Sequence, residues 1–397
     1  MRGAGDRRVA ITGYGVVAPC GVGKEAFWEG LLGPGTSGGT STRLPDWDPS
    51  PWFDNPKEAR RADRVQQFAL AAAAEALEQA GNLNADPGRT GVVVGTGVGG
   101  LHTLEEQVVV RVEKGERRVS PFLVPMMMAN ACGAAISLRY GFQGPCETIC
   151  TACAASTHAI GYAARQIAWD RCDVVITGGA EAADTVTALA GFANMTALST
   201  SGVSKPFDVS RDGFVLGEGA GILVLEVWDR AVERGATILG EVLGAGSTAD
   251  AYHITAPSPG GSGAVACIEL ALADAGLSAA EIRQINAHGT STPLNDAAEA
   301  EAVAKVFGTP GPPMTSIKGV TGHALGGAGA LEGVSVLLSF EKRLIPPTAG
   351  TTEVDPAITA DIVLGEARPW EPGPTISNSF GFGGHNGTVI IAPAPSS

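Results

Sequence analysis

The chain repeats one local scheme twice, and that repetition narrows its fold more than any single residue does. In the first half a helical segment, Glu75–Gly81, closes on Ala-Gly. A short apolar strand follows, Val92-Val93-Val94-Gly95-Thr96. In the second half Leu270–Gly276 closes on Ala-Gly, and Ile285-Asn286-Ala287-His288-Gly289-Thr290 again ends in Gly-Thr. Alternating strands and helices predict mixed sheets covered by helices, and the period is far above solenoid length. The expectation is an α/β protein of two duplicated halves, 1–235 and 236–397, with helices between and outside two sheets. The junction, Asp229–Gly235, does not read as a flexible linker, so the halves should share one core. The 397 residues exceed what one simple core holds. A chain 44% hydrophobic and only 17% charged leaves little for disordered tails.

Cys153 stands where a polar, extended stretch turns into an Ala-rich helical one, Thr151-Ala152-Cys153-Ala154-Ala155-Ser156. A cysteine at a helix's first turn meets unpaired backbone N–H groups and the positive end of the helix dipole, which favour a thiolate nucleophile. The helix is expected from Cys153 to about Trp169, with the strand Val174–Gly178 behind it. Further helices are expected over Ala62–Ala80, Asp296–Phe307 and Leu325–Glu341, and closing strands over Thr375–Phe380 and Thr388–Ile391.

Other features exclude function classes. No apolar run reaches the ~18 residues of a membrane span. The basic Met1–Arg8 leads into a short strand without the apolar core of a signal peptide, so a cytoplasmic protein is expected. Seven cysteines, an odd number without paired metal spacing, read as reduced thiols, and no metal is expected. The net charge of −14 argues against nucleic acid. An acidic partner would need a basic patch: Lys57, Arg60, Arg61 and Arg64 form one, and Lys114, Arg117 and Arg118 another. His158 lies five residues past Cys153 and should point away from it. His102 and His253 belong to no pattern, and His385 adjoins a glycine-rich loop.

Four elements then stand together: Thr151-Ala152-Cys153; Asn286-Ala287-His288-Gly289-Thr290-Ser291-Thr292-Pro293; Ser316-Ile317-Lys318-Gly319-Val320-Thr321-Gly322-His323; and Asn378-Ser379-Phe380-Gly381-Phe382-Gly383-Gly384-His385. With Ile11–Val17, Lys205–Asp208 and Gly213–Gly219, they resemble the thiolase-fold β-ketoacyl synthases over nearly the whole chain. The nearest patterns are the elongating β-ketoacyl-ACP synthase II and the ketosynthase subunits of type II polyketide synthases. The resemblance implies a five-layered αβαβα architecture. It implies an acyl chain carried on Cys153 and extended by decarboxylative Claisen condensation with malonyl-ACP, without a bound cofactor. Cysteine suits this because a thiolate is both nucleophile and leaving group.

By resemblance, the backbone N–H groups of Cys153 and Phe382 form the oxyanion hole, and His288 and His323 stabilise the enolate. Lys318 and Glu332 order the histidines. Phe382 is the gate, while Leu104 and Phe192 line the acyl pocket. Thr290 and Thr292 contact phosphopantetheine, and Lys57, Arg60 and Arg61 dock the acyl carrier protein. The family works as dimers, so the partner is a second copy or a chain-length-factor-like homologue. Pro121–Asn130, with Met126, Met127 and Met128, could complete the pocket wall. The segment Ser199–Ser204 is shorter than the usual loop before Lys-Pro-Phe-Asp. A housekeeping fatty-acid synthase II and a non-catalytic chain-length subunit are the alternatives. Cys153 speaks against the second, and the absence of any cysteine beyond 267 speaks against a degradative thiolase.

Overall fold

A computed structural model describes residues 7–395; the first six residues of the basic N-terminal run lie outside the described residues. The first half contributes β1 (Val9–Ala18), β2 (Thr90–Gly95), β3 (Cys146–Ile149), β4 (Val174–Glu181) and β5 (Gly219–Val227). The second contributes β6 (Gly240–Ala249), β7 (Gln284–Asn286), β8 (Met314–Thr315), β9 (Thr375–Gly381) and β10 (His385–Pro393). From the edge inward the first half runs β3-β2-β4-β5-β1 and the second β8-β7-β9-β10-β6. Both therefore follow one order of third, second, fourth, fifth and first strand, the repeat that the Ala-Gly and Gly-Thr elements announced.

The two sheets are joined, where two separate ones were expected. Val9, Ala10 and Ile11 pair with Val242, Glu241 and Gly240 while the same strand pairs along its other edge with β5. β1, β4 and β5 are buried along their whole length, as strands covered on both faces must be.

Helices and sheets alternate in five layers. The Arg64–Ala80 helix covers β1 and β5 from outside, and the Ser262–Ala275 helix covers β6 and β10. Between the sheets lie the Ala155–Ala168 and Ala328–Lys342 helices, in contact with each other and with both sheets. Asp63 caps the Arg64–Ala80 helix in a capping box with Gln66. Its alanines approach β1 closely because Gly13 and Gly15 have no side chains; a Cβ on either would fall 2.1 Å from a helix carbonyl oxygen.

This duplication places the chemistry. Cys153 follows β3, and His323 follows β8, the equivalent third strand of the other half. Each leads through a short 3-10 turn into a middle helix, Ala152–Ala154 on one side and Leu325–Gly327 on the other. His288 follows β7. All three residues lie beyond the C-terminal ends of parallel strands, the usual crevice of α/β sheets.

Candidate active site

The Cys153 turn is built under strain. Ala152 has φ +49°, and Leu325 at the equivalent turn has φ +41°. Ser291, Thr196 and Ala251, also around the site, have φ of +70°, +57° and +48°. Such conformations cost roughly 1–3 kcal/mol each and persist where the surroundings over-determine them. Here the determinants are visible. Thr151 Oγ1 meets His158 Nδ1 at 2.8 Å, and His158 Nε2 lies 3.0 Å from the Asn386 carbonyl oxygen. His158 thus turns from the sulfur, as expected, and ties the Cys153 turn to β10.

Cys153 is buried, with His323 Nε2 3.1 Å from its Sγ. The His288 and His323 rings stand edge to face, 5.4 Å between centroids, and Phe214 packs on His323 at 5.1 Å. The sulfur, unlike the expected resting thiolate, is a neutral thiol: burial pushes it up to about 11. The backbone N–H groups of Phe382 and Cys153 and the charge of Lys318 pull the other way without overcoming burial. Gly381 permits that approach, since a Cβ there would sit 3.1 Å from the Cys153 nitrogen. Burial, with the charge of Lys318, also holds both imidazoles well below the ordinary histidine range. The resting pair is S–H beside a neutral ring.

Lys318 and Glu332 form a buried ion pair. Lys318 Nζ also donates to the His288 carbonyl oxygen at 2.6 Å and lies 3.3 Å from His288 Nδ1. Ser379 Oγ, 3.5 Å from Glu332, meets Thr157 Oγ1 at 2.7 Å, linking this pair to the first turn of the Ala155–Ala168 helix.

Glu299 was not anticipated. It accepts from the backbone N–H groups of His288 and Gly289 at 2.8 and 2.7 Å, and burial pushes it up to about 7. Asp296, one turn earlier, accepts from Ser291 N–H at 3.1 Å. Two acids three residues apart on one helix face, just after Asn286–Pro293, were the available signal. Glu181 was missed too. It binds Gly97 N–H and Gly326 N–H, at 2.6 and 3.1 Å, so it joins the two halves behind the sulfur.

A cavity of about 570 Å³ reaches Cys153 and both histidines. Thr290 and Thr292 line it, with their hydroxyls 2.9 Å apart, and so does Phe382. Phe192 packs with Phe382 on the apolar cluster around Cys153. Leu104 does not occupy its expected place on that wall. It is 37% exposed, and Leu101 joins the cluster instead. Gly99 and Gly100 seat the first turn of the Leu101–Lys114 helix against Met126 and Met127, which carries Leu104 outward.

Lys57, Arg60 and Arg61 are exposed, with Arg61 4.5 Å above the Phe122 ring. Arg64 leaves this patch to bind the buried Glu218 through two bonds of 2.6 and 2.7 Å. His102, which belongs to no sequence pattern, contacts Asp184 at 2.9 Å.

The donor atoms of Cys153, His288 and His323 all lie within 4.8 Å of one another. A thiolate and two imidazoles suit zinc. Added zinc is therefore expected to inhibit, and a chelator to restore the rate. Activity indifferent to zinc would show that the three cannot close on an ion.

The family described as beta-ketoacyl synthase, N-terminal domain, matches residues 34–231, and its C-terminal domain matches residues 239–352. A 3-oxoacyl-[acyl-carrier-protein] synthase 2 from Synechocystis is 42% identical over 97% of this chain and 98% of its own. The protein of the same name from Vibrio harveyi is 40% identical with the same coverage. Among solved structures, the ishigamide ketosynthase/chain length factor superposes with a TM-score of 0.91 at 34% identity, covering 98% of this chain and all of that one. A type II polyketide ketosynthase in complex with its acyl-carrier protein gives 0.89 at 30% identity, with the same coverage. No helix among the described residues is long and apolar enough to cross a membrane.

Proposed function

The chain belongs to the beta-ketoacyl synthase family of acyltransferases, and from that premise we propose that it extends acyl-ACP with malonyl-ACP in the cytoplasm, in a type II polyketide pathway. The observation that carries this reading is the 3.1 Å contact between Cys153 and His323. Cys153 Sγ attacks the acyl thioester while its proton passes to His323, which returns that proton to the departing carrier sulfur, so the carrier leaves as a thiol. The oxyanion forms between the N–H groups of Cys153 and Phe382. Malonyl carrier then loses CO2. The enolate carbon attacks the Cys153 thioester, the new carbon–carbon bond forms, and the Cys153 thiolate departs and takes up a proton from solvent. His288 and His323 hydrogen-bond the enolate oxygen. Lys318 and Glu332 position His288.

The phosphopantetheine arm reaches the sulfur past Thr290 and Thr292, with Phe382 moving aside. Lys57, Arg60 and Arg61 receive the acidic carrier protein. The two thiolase-like halves, 1–235 and 236–397, each contribute part of this site, a division that the repeated strand order supports. The chain pairs with a second copy or with a chain-length-factor-like homologue, through a face that exposes Val108, Val112, Val124 and Leu138.

Fatty-acid elongation is the second reading, favoured by the higher identity to the curated synthases. Co-purification with a homologue lacking the cysteine would decide for the polyketide reading, and a homodimer alone would decide against it. The catalytic reading is tested by mass spectrometry after incubation with acyl-ACP. Acyl mass on the Cys153 peptide is expected. An unmodified peptide from folded protein would point to a non-catalytic subunit.

A further inference from the structure

The helix Val186–Asn194 presents Leu189 and Phe192 to the apolar cluster around Cys153, yet no residue of it is buried within the chain. Core burial therefore does not fix how far this wall stands from the sulfur. Polar ties at its N-terminal end do. Asp184, whose side chain is 1% exposed, ends the loop from β4 to this helix, and Thr185 caps the helix through Ala188 N–H. Asp184 Oδ1 accepts from Arg43 Nη2 at 3.2 Å and meets His102 Nε2 at 2.9 Å, while Arg43 Nε pairs with Oδ2. His102 directly follows Leu101, which packs on the same cluster. One turn further along, Glu105 accepts from Thr187 N–H at 3.0 Å.

The first turns of two helices that both face the cluster are thus pinned together by one buried carboxylate. The cavity that reaches Cys153 is lined by neither Leu189 nor Phe192. An acyl chain that entered the cluster would have to displace this wall.

Resting on the condensing-enzyme reading above, we propose that Arg43, His102 and Asp184 are positioning residues that set the length of acyl chain Cys153 accepts. They do not touch the chain. They hold the Leu101 and Val186–Asn194 helix ends at a fixed separation, and so limit how far Leu189 and Phe192 yield.

The test is transfer onto Cys153 from acyl carrier protein charged with butyryl or octanoyl groups, for wild type, His102→Leu and His102→Gln. In His102→Leu the octanoyl-to-butyryl ratio of kcat/KM is expected to rise roughly tenfold, through KM, with butyryl transfer within about twofold of wild type. His102→Gln, which keeps an N–H donor toward Asp184, should retain the wild-type ratio. Should His102→Leu fail to fold, Arg43→Gln on the outer side of the same carboxylate is expected to move the ratio the same way. An unchanged ratio, or an equal loss for both chains, overturns the assignment while leaving the enzyme reading intact. A wild type that takes no acyl group from either carrier overturns the enzyme reading itself.

Discussion

Cys153→Ser is expected to lower condensation by roughly 10⁴-fold or more while leaving the fold in place. Serine is nearly isosteric, and the site around the sulfur is made of backbone N–H groups and rings that an oxygen would also satisfy. What changes is acidity. The thiol is already pushed up to about 11 by burial, and the His323 ring, proposed to take its proton, is held well below the ordinary histidine range. A hydroxyl starts several units higher still, so the same neutral imidazole cannot ionise it at a useful rate. Acylation should vanish from the residue-153 peptide, with the melting temperature close to wild type. The wild-type thiol should also alkylate slowly with iodoacetamide at neutral pH and faster as pH rises toward 11. A serine variant that condenses within about tenfold of wild type, or a thiol that alkylates rapidly and independently of pH near neutrality, would refute the neutral-pair account.

The Thr151–Ser156 stretch was enough to mark a cysteine at a helix start, and the helix dipole argued for a thiolate. Helix position is a local property that a sequence displays. Burial is a tertiary one, set here by the Phe214, Leu325 and Phe382 side chains from three separate segments, and burial outweighs the dipole.

The same division runs through the rest of the molecule. The repeated Ala-Gly and Gly-Thr elements reported the duplication because each half uses the same turn chemistry. The pairing of Val9–Ile11 with Gly240–Val242, which joins the sheets, involves strands 229 or more residues apart and leaves no local trace. Arg64 read as part of a surface patch because its partner, Glu218, is 154 residues away. Leu101 replaces Leu104 at the cluster because Gly99 and Gly100 set where the helix begins. The motifs for Cys153, His288 and His323 were legible, and the structure brings all three side chains together. The carboxylates that shape those turns, Glu299 and Glu181, were not, since an acid in a helix or at a strand end ordinarily reads as solvated.

Lys318→Met should be the most damaging single change to stability in the site. Lys318 and Glu332 are each about 1% exposed and paired with one another. Removing one partner of a buried pair leaves the other charge uncompensated, at a cost of roughly 3–5 kcal/mol. Glu332, already raised by burial, would take up a proton to escape that cost, and the Lys318 bond to the His288 carbonyl oxygen would be lost as well. The double variant Lys318→Met with Glu332→Leu removes both charges and should be more stable than the single one, which a double-mutant cycle by denaturant unfolding measures.

Activity gives an independent readout. Burial first, and the Lys318 charge second, hold His288 below its ordinary range. Without the lysine, the His288 pKa rises. A step that needs the neutral ring is lost as pH falls through that pKa, so the acid limb of the pH–rate profile should move to higher pH in both variants. If both variants kept the wild-type acid limb, Lys318 would be a packing element rather than the group that keeps His288 neutral. If the single variant proved as stable as the double one, the pair would not carry a buried charge at all.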